Sequence, residues 1–182
     1  LDTLPPSREE ERVILLLGGS EVTLRWLELP ALTDAQALAA ARIEIADECL
    51  GPVDALHLAI GPLHGGHRLV AAIANVRMAA WIDWATNLGL EPDHVMPLPL
   101  LIAYGEGPAR VWERPGRSFV RGHHLAFAIE PELAAMLLGE VPTEAIDDAR
   151  FEAELPAGLP ALPLDLRQGS WRRRRTFRVD AD

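Results

Sequence analysis

Short apolar runs closed by glycine or proline recur through the first half of the chain, and helix-period stripes interrupt them. That alternation constrains the fold more than any single motif. Strands interleaved with helices build a mixed sheet with helical cover, and neither a sandwich nor a helical bundle accommodates the order. Residues 13–18 (VILLLG) read as a buried strand, Gly18-Gly19 as a turn, and residues 22–30 (VTLRWLELP) as a half-exposed strand; together they predict a hairpin. Thr33 and Gln36 form a capping box before a helix whose stripe is Leu38, Ala41, Ile45 and Cys49, and Gly51-Pro52 ends it. Residues 55–61 and 68–74 are strands around the turn PLHGGH. Asn75 is expected to cap a second helix, with Trp81, Trp84, Ala85 and Leu88 facing inward and Gly89 closing it. A short strand near His94–Met96 completes the order.

Pro97 and Pro99 mark a boundary. The expected organisation is an N-terminal β-β-α-β-β-α subdomain over 1–98 and a smaller strand-rich subdomain over 99–156. A Pro-rich linker with a basic end then fills 157–182. In the second part LLIAYG, ARVWER and SFVRG read as strands and residues 130–139 as a short helix. That helix is expected to bury Leu133, Met136 and Leu137, and DDARFEAEL adds a turn or two of helix.

Composition removes several chemistries. An apolar fraction of 49% supports a real core, and 5% aromatic residues mean a core of Leu, Ala, Val and Ile. The basic residues are all arginine, which excludes a lysine nucleophile, a Schiff base and the Walker lysine. Ser20, Ser118 and Ser170 lack the G-x-S-x-G elbow, and the glycines of GPLHGG join two strands where a phosphate cradle needs a following helix. Cys49 is the single cysteine and reads as a small core hydrophobe.

His57, His64 and His67 are the nearest approach to a metal set, yet no cysteine or carboxylate completes it. His123-His124 is read as a strand pair pointing to opposite faces. The acidic pairs Asp147-Asp148 and Glu152/Glu154 fit a solvated face. The expectation is a protein without catalytic residues, metal or cofactor.

The formal net charge is −10, yet the chain approaches its end through Trp171-Arg172-Arg173-Arg174-Arg175-Thr176-Phe177. An acidic body repels a polyphosphate backbone, so nucleic acid is not an expected partner. Arginines on the cytoplasmic flank of a membrane span fit the run better, each gaining about 1 kcal/mol near anionic headgroups. Trp171, Arg172, Arg173, Arg174, Arg175 and Phe177 are therefore the candidate membrane-surface contacts, with a spanning helix expected beyond Asp182. The acidic opening LDTLPPSREEERV is unlike a secretory leader, and the most apolar window, 95–104, is short and interrupted by prolines.

VTLRWLELPAL, EIADECLG, DALHLAIGP, VRMAAWIDWATNLGLEPDHVMPLPLLI, VWERPGRSFV and the ending PLDLRQGSWRRRR together resemble the cytoplasmic domain of the type II secretion system L protein (the general secretion pathway protein L family). The resemblance runs from about Val13 to Arg175. It implies a degenerate actin-like or ribonuclease H-like fold. It also implies a non-enzymatic inner-membrane scaffold that docks the secretion ATPase (the E protein), works with the M protein, and is a candidate homodimer. The alternatives are an actin-like nucleotide-binding domain of the pilus-assembly type and a nucleic-acid adaptor using residues 171–178.

Overall fold

The computed structural model describes residues 12–29, 31–49, 51–158 and 162–173. In chain order the first part forms β1 (Ile14–Leu17), β2 (Val22–Glu28), α1 (Asp34–Glu48), β3 (Leu56–His64), β4 (His67–Ala74), α2 (Asn75–Asn87) and β5 (His94–Pro97). The second part forms β6 (Ala109–Arg114), β7 (Arg117–Gly122), β8 (Leu125–Ile129), α3 (Pro131–Leu138), β9 (Thr143–Ile146) and α4 (Asp148–Gly158). This is the mixed α/β architecture the alternation implies.

The β4 strand is the keel of the first part. It lies between β2 and β3, antiparallel to both, with Val22 opposite Ile73 and Leu56 opposite Ala74. Its sequence is nearly all apolar because both faces are covered. Leu69, Ala71 and Ile73 enter the main core, while Val70 and Ala72 meet Ala37, Ala41 and Ile45 of α1. The Thr33–Gln36 capping box is present, with the Gln36 amide donating to Thr33 Oγ1 at 3.4 Å. Such a cap is worth about 1 kcal/mol. Cys49 is the half-buried C-cap of α1.

The expected β1–β2 hairpin does not form. β1 pairs in parallel with β5, Ile14 opposite His94, and β2 crosses to β4. Gly19 makes the change of sheet: its φ is +86°, and a Cβ there would lie 2.9 Å from the Pro99 ring. Only glycine fits both conditions.

Three further expectations change. Ala74 is the N-cap of α2 and Asn75 its first residue. The inward face of α2 is Met78 and Ala85 with Trp81 and Ile82 partly buried, whereas Trp84 is 50% exposed and Leu88 is also exposed. The stretch LLIAYG begins in a 3-10 turn, Leu98–Leu101, and forms no strand. β8 and β9 were not anticipated.

The four-stranded sheet runs β8-β7-β6-β9, with β6 and β9 parallel and Ala109 opposite Thr143. Period-two alternation again divides its faces. Phe119, Ala126 and Ala128 enter the same core as Leu15, Ile73 and Val95, so one core spans both sides of residue 98. Val120 and Ala109 point the other way, onto Ala134 and Leu138 of α3. Because α3 rests on that i, i+4 pair, Leu133, Met136 and Leu137 face outward, contrary to expectation; Met136 is 76% exposed. α4 docks by stacking Phe151 on Trp112, 4.2 Å between ring centroids, while Trp112 Nε1 donates to Asp148 at 2.8 Å.

Candidate functional site: the C-terminal strap

Leu162 to Arg173 form an ordered strap across β3 and β5, in the stretch that composition marks as a linker. Leu164 and Leu166 are buried in the main core and Asp165 between them faces out, a strand-like alternation. Asp165 accepts from the backbone N–H groups of Val95 at 3.0 Å and Arg167 at 2.9 Å and meets His94 Nδ1 at 2.8 Å. The Leu166 N–H donates to the Val95 carbonyl at 2.8 Å.

On the other side, His57 Nε2 donates to the Leu166 carbonyl at 2.7 Å, which fixes its tautomer because a carbonyl only accepts. Burial dominates this imidazole and holds its pKa below the ordinary 6.5, against the opposing pull of that hydrogen bond. The Gln168 amide behaves as one peptide unit of a neighbouring strand. Its Nε2 donates to the Ile60 carbonyl at 2.9 Å and its Oε1 accepts from the Ile60 N–H at 3.2 Å. Gly61 permits the close approach, since a Cβ there would sit 2.6 Å from the Pro163 carbonyl oxygen.

The strap ends in the three described candidate membrane residues, Trp171, Arg172 and Arg173. Trp171 packs against the core, its Nε1 donating to Asn75 Oδ1 at 3.4 Å and its ring edge-on to His57. Arg173 folds back onto Asp93 and onto Glu91, the latter at 3.1 Å. Arg172 is exposed. Arg174, Arg175 and Phe177 lie outside the described residues. No helix among the described residues is long and apolar enough to cross a membrane.

The histidines are arranged differently from their sequence grouping. His57 serves the strap, away from the company of His64 and His67. His64 and His67 instead share a cavity with His123 and His124, which occupy the tight turn between β7 and β8 rather than a strand. His124 has φ +50°, and its ring stacks on His123 at 4.1 Å and lies 4.2 Å from His67. Two distant turns make this cluster, so no local pattern announces it. Among the described residues no three His, Cys, Asp or Glu side chains are placed to hold a metal ion.

A third polar centre is structural. Arg110 pairs with Glu154 and Glu144 and donates to the Ala103 carbonyl at 2.7 Å, while Arg150 bonds both carboxylates. These partners hold Glu144 and Glu154 below the usual carboxylate range, Arg150 chiefly for the first and Arg110 for the second.

Comparison with known proteins places this mixed α/β domain in a defined class. Its fold is similar to the cytoplasmic domain of EpsL, an inner-membrane component of the type II secretion system of Vibrio cholerae. The TM-score is 0.74 at 17% identity, covering 90% of this chain and 80% of that one. The family model for type II secretion system protein L matches residues 2–109, and the chain belongs to that family. It is also 29% identical over 83 residues to the type II secretion system protein L of Dickeya chrysanthemi, 46% of this chain and 21% of that protein. The aligned part thus spans about a fifth of that relative's length.

Proposed function

We propose that this domain is a non-enzymatic scaffold on the cytoplasmic side of the inner membrane, docking the secretion ATPase to the membrane complex for protein export. Family membership supports the general role. The observation that carries the docking step is the outward stripe of α3. Leu133, Met136 and Leu137 recur at helical spacing, and Val141 extends them, all substantially exposed. A clustered apolar stripe on a domain of net charge −10 is a contact surface in search of cover. The ATPase is the partner that covers it.

The membrane side of the reading rests on the strap. The strap is joined to the core through Leu164, Leu166 and Gln168, so a pull on the basic segment reaches the body through them. Arg172 and the arginines beyond Arg173 contact anionic headgroups, while Trp171 on the core and Arg173 on Asp93 and Glu91 anchor the base of the collar. The M protein and a second copy of the chain are the further partners in this scheme. Neither nucleotide nor nucleic acid enters it.

The test is binding of the cognate secretion ATPase to the immobilised 182-residue chain. Saturable binding that Met136→Glu/Leu137→Glu weakens by at least about tenfold supports the assignment. A folded chain that binds no ATPase removes it.

A further inference from the structure

The cavity between the β3–β4 and β7–β8 turns has a volume of about 480 Å³ and gathers His64, His67, His123, His124 and Arg121. Arg121 lies over the ring of Trp26, its guanidinium carbon 4.8 Å from the centroid, and 5.4 Å from that of Tyr104. Its Nη1 donates to the carbonyls of Gly122 at 3.0 Å and Leu125 at 3.3 Å. Among the described residues, no carboxylate forms an ion pair with it, on a chain with 27 acidic side chains. Arg25, Arg68, Arg110, Arg114, Arg150 and Arg173 meet carboxylates, whereas Arg121, lodged between two aromatic rings, does not.

We infer that this cavity is an oxyanion site, taking a phosphate- or carboxylate-bearing small ligand between the Arg121 guanidinium and the imidazole N–H groups of His67, His123 and His124. Five cationic or cation-forming groups from two turns meet there with aromatic walls on the arginine. An anion supplies the charge that the protein withholds. The metal alternative lacks the geometry, because the rings stack and do not converge on one point. Without an anion the cluster's own groups work against its positive charge. Partial burial, then His123, His67, Arg121 and His64, hold the His124 pKa below 6.5, and burial brings Arg121 down to about 10. The acidic groups nearby are Glu106, which lines the cavity, and Glu28, opposite His67 on β2; neither hydrogen-bonds to the cluster among the described residues. Tyr104 is the remaining titratable wall.

A bound dianion relieves the mutual repulsion of the imidazolium ions and so raises their pKa values. Binding therefore strengthens as the pH falls through the histidine range. Sulfate is the first probe because it keeps two charges from about pH 6 to about pH 8, where phosphate changes its own. Glutarate is the second, and the tighter of the two assigns the ligand as tetrahedral oxyanion or carboxylate. Imidazole C–H resonances of the 182-residue chain are followed by NMR at constant ionic strength set with chloride.

The expected result is saturable, concerted movement of the clustered histidines, at least about tenfold tighter near pH 6 than near pH 8. Arg121→Gln weakens it by a similar factor. Because Arg121 packs on two rings, a second variant keeps the test clean: His67→Asn/His123→Asn/His124→Asn. Asparagine tolerates the left-handed φ at 124, and this variant, read through the His64 resonances it keeps, loses most of the pH dependence while Arg121 stays. The inference is overturned by shifts no larger than chloride produces, by equal affinity at the two pH values, or by indifference to both variants. Stoichiometric zinc(II) uptake by the histidines with no sulfate response overturns it as well.

Discussion

The two main sheets obey the same period-two alternation but are held by different forces. β4 is sealed on both faces, Leu69, Ala71 and Ile73 against the main core and Val70 and Ala72 against α1. The four-stranded sheet shares that core on one face and packs α3 on the other through Ala109 and Val120. At its β6–β9 end it is clamped by arginine–carboxylate pairs, Arg110 and Arg150 with Glu144 and Glu154, and Arg114 with Asp148. The first sheet is a foundation that responds to lost volume. The second responds to charge, and it carries the outward stripe of α3. Stability and partner contact are thereby separated in one chain.

Loss of volume in the foundation is the largest expected effect. Ile73→Ala and Leu166→Ala should each cost about 2–5 kcal/mol in urea unfolding, since both side chains are fully buried. If either costs less than a surface substitution, the shared core and the strap are misdescribed. Gly61→Ala comes next at about 1–3 kcal/mol, because its methyl meets the Pro163 carbonyl rather than a side chain that can swing away. Faster hydrogen exchange at Leu166 relative to α1 would show that the strap, not the sheet, has lifted.

In the second sheet, Arg110→Met should cost about 1–2 kcal/mol near neutral pH. The pH dependence has a definite sign. Arginine bonds depress the folded pKa values of Glu144, Glu154 and Asp148, for Asp148 chiefly through Arg114. Their stabilisation is complete above the ordinary carboxylate range of about 4–4.5 and is lost as the pH drops through the lowered values. Acid unfolding of Arg110→Met should consequently be shallower below about pH 4.5 than that of the parent chain. The foundation has a separate acid response at higher pH. His57 has a lowered folded pKa, so the unfolded chain takes up its proton first and stability falls as the pH drops below about 6.5. His57→Gln should flatten that part of the profile and leave the carboxylate part alone.

Legibility in the sequence followed the range of the interactions. The capping box and stripe of α1 are local, and both could be read from Thr33, Gln36, Ala41 and Ile45. The β3–β4 hairpin was legible for the same reason. Partner choice between distant strands was not: Gly18-Gly19 looks like a hairpin turn, and only the packing of Pro99 on Gly19 reveals a change of sheet. β9 is short, mostly exposed and paired in parallel with β6, so TEAI lacks the apolar alternation that marks a strand. Trp84 was misplaced because side-chain size outweighed helical phase; the arc from Met78 through Trp81 and Ile82 to Ala85 leaves it outside.

In the strap the prolines masked a usable signal, the alternation Leu164-Asp165-Leu166. Both halves of the histidine cavity, His64/His67 and His123-His124, stood out in the sequence, but their meeting did not, because they come from separate turns.

The smallest stability effect belongs to the most informative substitution. Met136→Glu/Leu137→Glu lies on the exposed side of α3 and should change unfolding free energy by no more than about 0.5 kcal/mol. The decisive measurement is the affinity of the cognate secretion ATPase for this variant and for the parent chain, side by side. The scaffold account requires saturable binding to the parent and at least about tenfold weaker binding to the equally stable variant. Equal affinity for both would move the docking surface off α3, and no binding to the folded parent would contradict the account altogether.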